Sequence, residues 1–182
     1  GGIARAVDIL RAGGLVAVPT ETVYGLAARA DSEEAVARIF EAKGRPGFNP
    51  LIVHVLDIAG AERIVEIGER ARQLAEQFWP GPLTIVLPRR PDAKAASQIT
   101  AGLPTLAVRS PAHPAMRAIL EKLGLPLAAP SANASETVSP TSAAHVLATL
   151  DGRIDAVVDG GPTERGLEST IIALRSDGRW SL

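Results

Sequence analysis

The chain has 182 residues, 46% of them hydrophobic and 3% aromatic, with a formal net charge of -1 and no cysteine. That length supports one sizeable core, and the apolar content excludes a disordered chain. The missing cysteines exclude disulfides, thiolate metal centres and a cysteine nucleophile; the charge excludes a global field for nucleic acid, and the few aromatic residues exclude stacking as the main mode of binding.

In chain order, "ARAVDILRAGG" predicts a short helix with Ala6, Ile9 and Leu10 on one face and Gly13 at its end. "GLVAVPT" predicts a buried strand. "SEEAVARIFEAKG" is the clearest helix: Ser32 caps it, acids fill the first turn, Val36, Ile39 and Phe40 form the stripe, Lys43 lies in the last turn, and Gly44 takes the left-handed cap. "PLIVHVL" is a strand and "GERARQLAEQFWPG" a helix stopped by Pro80 and Gly81. "LTIVLP" and "TLAVRSP" are strands, "PAMRAILEKLG" a helix, and "LPLAAPSAN" a strand running into a turn. "TSAAHVLATLDG" is a helix, and "DAVVDGG" and "ESTIIAL" are the last strands. "PRRPDAKAASQITAGLP" reads as a mobile surface loop. Short apolar strands alternating with amphipathic helices predict a layered α/β domain with a mixed sheet. No apolar run approaches the roughly 20 residues of a membrane span, and no signal-peptide pattern opens the chain; the lack of cysteines fits a cytoplasmic protein. Gly1 and Gly2 stand where Met would start a chain and "GRWSL" ends it abruptly, so it reads as trimmed, with a further domain allowed in the parent.

The common motifs are absent: no GxxxxGK[ST], no GxGxxG after a strand, no HExxH and no GxSxG. His54, His113 and His145 show no metal-ligand spacing. Four stretches near strand or helix ends stand out. "PTETVYGL" gathers the hydroxyls of Thr20, Thr22 and Tyr24; "KGRPGFNP" holds Lys43 and Arg45; "AVRSP" puts Arg109 at the end of an apolar strand, where an unpaired charge is costly; "APSAN" puts Ser131 and Asn133 on a turn. Each has a plain structural reading. Lys43 and Arg45 complement a helix dipole, worth about 0.3–1 kcal/mol. Arg109 pairs with a structural carboxylate, Ser131 and Asn133 are ordinary turn residues, and His54 is a satisfied strand histidine.

Taken together and in order, "PTETVYGL", "KGRPGFNPLIVH", "AVRSP", "PSAN" and "GLESTI" resemble the threonylcarbamoyl-AMP synthase family, the YrdC-like domain. The resemblance runs from "DILRAGGLVAVPTETVYGL" to "STIIAL". It implies one YrdC-like domain over residues 1–182, of α/β class, with a twisted mixed sheet, helices packed around it and an open electropositive cavity. It implies a nucleotidyltransferase that condenses L-threonine, bicarbonate and ATP to threonylcarbamoyl-AMP and pyrophosphate, with Mg²⁺ accompanying ATP and no protein metal site. Separate proteins then transfer the threonylcarbamoyl group to tRNA. Carried over residue by residue, Lys43, Arg45, Ser131 and Asn133 hold the nucleotide, with Lys43 and Arg45 catalytic. Thr22, His54, Arg109 and Ser169 recognise threonine, Arg109 through its carboxylate; Thr20, Tyr24 and Thr170 are neighbours with weaker claims. The chain departs from the family pattern at Ala27, Arg29 and Glu136.

The chemistry suits such residues. Threonine's amine and carbon dioxide from bicarbonate give a carbamate, whose oxygen attacks the α-phosphorus of ATP. Both partners are anions, so fixed cations relieve their repulsion and stabilise charge on the departing pyrophosphate. On this account, removing Lys43 or Arg45 leaves stability almost unchanged and stops turnover. Besides a paralogue with an altered substrate, two other readings remain at this stage. One is a non-catalytic module holding RNA or a nucleotide, with Arg89, Arg90 and Lys94 giving a weak double-stranded RNA or tRNA contact. The other is carbamoyl transfer from carbamoyl phosphate, as YrdC-like domains perform in hydrogenase-maturation proteins, whose zinc-finger and acylphosphatase segments this sequence lacks.

Overall fold

α1 (Gly2–Arg11) buries Ala6, Val7 and Leu10, so Val7 takes the central place expected of Ile9, which packs at the edge. The computed structural model describes residues 2–44, 50–134, 139–163, 170–174 and 180–181. In α2 (Glu33–Lys43) the Ser32 side chain accepts the Ala35 N–H at 3.1 Å. Glu33 and Glu34 fill the first turn, where the helix dipole favours acids. Gly44 at φ 68° makes the left-handed cap that a side chain would strain. Val36, Ile39 and Phe40 are buried, as their spacing requires. Lys43 continues the same series and is buried with them.

The remaining helices are α3 (Ile58–Glu62), α4 (Glu69–Phe78), α5 (Pro114–Leu123) and α6 (Ala143–Leu150). The strands are β1 (Val16–Pro19), β2 (Tyr24–Arg29), β3 (Ile52–His54), β4 (Leu83–Pro88), β5 (Thr105–Arg109), β6 (Leu127–Ala128), β7 (Ala156–Val157), β8 (Thr170–Leu174) and β9 (Trp180–Ser181). They form one sheet in the order β7-β1-β2-β6-β3-β5-β4-β8-β9. The β1–β7, β3–β5 and β4–β8 pairs are parallel and the others antiparallel. The expected mixed sheet is therefore present. Three elements have no counterpart in the sequence reading: β2, the short α3 and β9.

Alternation along the strands sends successive side chains to opposite faces. Leu15, Ala17, Leu26, Ala28, Val53 and Val108 join the larger core, with α2, α4 and α6. Val16, Val18, Ala27 and Leu127 join the smaller core, with α1 and α5. Both helices thus cover the β1, β2 and β6 part of their face. Farther along it stand His54, Arg109 and Thr84, whose strand neighbours Val53, Val108 and Ile85 belong to the opposite core. Among the described residues, that stretch of sheet carries polar side chains and no third helix.

The segment over residues 88–104, expected as a mobile surface loop, is anchored through its middle. A 3-10 turn at Ser97–Ile99 buries Ile99, and the Ile99 carbonyl accepts the Leu51 N–H at 2.9 Å. The Ala96 N–H donates to Ala30 at 2.7 Å, and Glu33 accepts from Ser97. The apolar Ala95, Ala96 and Ile99 pack into the larger core, which a polar-looking stretch with three prolines conceals. Among the described residues, no helix is long and apolar enough to cross a membrane.

Candidate active site

A cavity of about 180 Å³ opens over this polar part of the sheet. Thr20, Thr22, His54, Arg109 and Ser131 supply polar groups to its wall, and Gly25 leaves it room beside Ala129. Four elements converge there because of the strand order. β3 and β5 lie side by side in parallel, so His54 and Arg109 are direct register partners. The β1–β2 turn brings Thr20 and Thr22, and the turn after β6 brings Ser131, bridged to Gly25.

Arg109 is buried, with 4% of its surface exposed. Its Nε donates to the Gly81 carbonyl at 3.0 Å, Nη1 to Thr22 Oγ1 at 3.4 Å, and Nη2 to Glu21 Oε1. Burial lowers its pKa from the ordinary arginine value, and the Glu21 carboxylate opposes that shift. His54 is buried beside it, and its Nδ1 has no hydrogen-bond partner among the described residues. Burial first, and then the positive charge of Arg109, push the His54 pKa down from 6.5 to about 3. The imidazole is therefore neutral in ordinary buffers.

The β1–β2 turn is tied by Thr20. Its hydroxyl donates to the Val23 carbonyl at 2.7 Å and accepts the Thr22 and Val23 N–H groups at 3.3 Å. It also lies 3.1 Å from the Thr22 hydroxyl. Tyr24 faces elsewhere: its hydroxyl donates to the Gly161 carbonyl at 2.7 Å and accepts the Gly160 N–H at 3.1 Å, pinning β2 to the segment after β7.

Lys43 does not line the cavity. Its ammonium donates to the Ser131 carbonyl at 2.5 Å, the Asn133 carbonyl at 2.6 Å and Asn133 Oδ1 at 3.2 Å. Three oxygens of the described residues thus receive its protons. Asn133 Oδ1 also accepts the Ser131 hydroxyl at 2.7 Å. One network therefore contains Lys43, Ser131 and Asn133, and within it the lysine supports the turn. The plain dipole reading of Lys43 is set aside, because the side chain runs inward from the buried stripe of α2.

Arg45, Ser169 and Glu136 lie outside the described residues. Thr170 opens β8, paired with Leu83. The departures Ala27 and Arg29 do not line the cavity: Ala27 sits in the smaller core, and Arg29 pairs with Asp31 at 2.7 Å. Glu21 is the residue that sequence reasoning missed. It stands between two singled-out threonines, but its partner Arg109 is 88 residues away, and nothing local joins them. Among the described residues no group of three or more His, Asp or Glu side chains is placed to hold a metal ion.

Residues 8–182 match the sequence model of the Sua5/YciO/YrdC family, described as "Telomere recombination". The threonylcarbamoyl-AMP synthase of Bacillus subtilis (strain 168) is 52% identical over 176 residues, covering 96% of this chain and 51% of that protein. The threonylcarbamoyl-AMP synthase of Pyrococcus abyssi is 52% identical over 170 residues, covering 93% of this chain and 49% of its own. A crystal structure of P. abyssi Sua5 complexed with L-threonine superposes with a TM-score of 0.91 at 52% identity, over 94% of this chain and 50% of the other. The chain spans about half the length of the curated relatives it matches. With fold and sequence in agreement over nearly its whole length, the chain belongs to the Sua5/YciO/YrdC family.

Proposed function

We propose that this chain carries the threonylcarbamoyl-AMP synthase reaction, condensing L-threonine, bicarbonate and ATP to threonylcarbamoyl-AMP and pyrophosphate. The observation that carries the reading is the buried Arg109 guanidinium in the cavity wall, beside an uncharged His54 and the Thr22 hydroxyl. A buried cation next to neutral donors suits a small zwitterion's carboxylate. The likeness to P. abyssi Sua5, solved with L-threonine, supports threonine as that ligand.

On this reading Arg109 binds the threonine carboxylate, with Thr22, His54 and Ser169 completing the pocket. His54 adds no second positive charge to that of Arg109. The carbamate forms with loss of a proton, and its oxygen attacks the α-phosphorus while the bond to pyrophosphate breaks. Ser131, Asn133 and Arg45 hold the nucleotide. Lys43 supports the Ser131–Asn133 turn and lends it positive charge; a phosphate that reaches the ammonium replaces one of the oxygens it holds. These cations give the cavity its electropositive character and make the protein a nucleotidyltransferase. Mg²⁺ would be carried mainly by phosphate oxygens and water. The product passes in the cytoplasm to proteins that modify tRNA.

The binding-module alternative is weaker. Of the cations it needs, Arg89 donates to the Ala93 and Ala95 carbonyls and Arg90 pairs with Asp92. The test is pyrophosphate release in ATP, Mg²⁺ and bicarbonate, with and without threonine, and mass spectrometry for the mixed anhydride. Release that requires both threonine and bicarbonate, with the anhydride present, is expected. Equal release without threonine, in a preparation free of contaminating ATPase, overturns the proposal.

A further inference from the structure

We infer that Glu21 is a positioning residue for the amino-acid substrate: it fixes the Arg109 guanidinium so that its unused N–H groups receive the substrate carboxylate. The inference rests on the threonine reading of the cavity and extends it to a residue with no role so far. A guanidinium has five N–H donors in a rigid plane. Gly81, Thr22 and Glu21 each take one, from Nε, Nη1 and Nη2 respectively. One N–H on each terminal nitrogen then has no partner among the described residues. Donors on two adjacent nitrogens suit a carboxylate, in a residue that lines the cavity.

Glu21 is itself held. Its second oxygen, Oε2, accepts the Ala112 N–H at 2.9 Å, just before the His113 cap of α5. Its backbone lies in the turn closed by Thr20. The carboxylate therefore spans the β1–β2 turn and the start of α5, and Arg109 stands against it. A side chain fixed at both ends sets the rotation of the guanidinium, as a lone charge nearby would not. It also compensates the buried cation while the cavity holds no anion.

Two other roles are open to the same contacts, and they predict different results. As a purely structural tie, Glu21 would affect stability but not threonine affinity. As a carboxylate competing for Arg109, it would weaken threonine binding, so its removal would tighten it. The experiment uses the full-length protein and three variants, Glu21→Gln, Glu21→Asp and Glu21→Ala. Calorimetry measures threonine and ATP binding separately, with melting temperature alongside. Glu21→Asp is the decisive variant: it keeps the charge but is one methylene too short to reach both Arg109 and Ala112.

The expected result is a threonine Kd raised about 10- to 100-fold in the Asp and Gln variants, as misplacement of a binding group costs. ATP affinity should stay near that of the unsubstituted protein, and kcat at saturating threonine should change less than KM. Unchanged or tighter threonine binding in a folded Glu21→Asp protein overturns the inference and leaves the synthase reading standing. Unsubstituted protein that binds no threonine overturns both.

Discussion

His54 shows how one residue's surroundings fix its chemistry. An imidazole on an exposed strand would titrate in the physiological range, but here burial and Arg109 hold it neutral. The pH consequence has a definite sign. The unfolded chain takes up the His54 proton near 6.5, the folded protein only near about 3. Between those values the unfolded state binds more protons, so this contribution to stability is full above the upper value and is lost as pH falls through the window. From pH 6.5 down to 5 the loss is about 2 kcal/mol. In His54→Gln that titration is gone. Urea unfolding of both proteins between about pH 7 and 5 should show the wild-type stability falling by about 2 kcal/mol more than the variant's. A wild-type-minus-variant difference that stays flat would mean that His54 accepts a proton in the folded state.

At the scale of elements, α2 reaches the site through its buried stripe. Val36, Ile39 and Phe40 dock the helix, and Lys43, next in the series, delivers an ammonium to a turn 88 to 90 residues away. The expectation from sequence that losing Lys43 leaves stability unchanged is revised by this contact. Lys43→Ala strips the donor from two carbonyls and the Asn133 amide oxygen. Unsatisfied buried acceptors of this kind cost about 2–4 kcal/mol together. The variant should therefore melt earlier and also lose pyrophosphate release, because the Ser131–Asn133 turn relaxes with it. Lys43→Met, which keeps most of the volume but no donor, should behave alike. A melting temperature unmoved in both variants, with turnover lost, would show that the ammonium serves the nucleotide alone.

For the whole molecule, charge and packing bear on what it can bind. The net charge of -1 gives no field for polyanions, and two of the three cations proposed for RNA are engaged within the protein. Lys94 is then the main candidate for phosphate contact on that segment. Binding of duplex RNA should be weak at physiological salt, and the slope of log K against log salt should be no steeper than about -2, as one or two phosphate contacts require. Filter binding across a salt series measures it. A slope several times steeper would reveal a basic surface that Arg89, Arg90 and Lys94 do not account for.

The sequence by itself determined the local structure and the family. The α2 signals were read correctly, from the Ser32 cap to the Gly44 stop, because caps, dipoles and helical spacing act within a few residues. The unusual stretches were legible because their residue types are costly in ordinary strands and turns, and Thr20, Thr22, His54, Arg109 and Ser131 do meet at one cavity. The stripe through Val36, Ile39, Phe40 and Lys43 was also there to be extended, though the lysine's charge hid it. Other features were fixed only by tertiary structure. β2 looked like a hydroxyl-rich turn, since its strand character depends on pairing with β1 and β6. The 88–104 segment looked solvated until Ile99 found the core. Tyr24 left the site for Gly161, Lys43 turned to Ser131 and Asn133, and Glu21 met Arg109. Each of these partnerships joins residues 88 or more positions apart, and which donor meets which acceptor is decided by strand order, which no local pattern encodes.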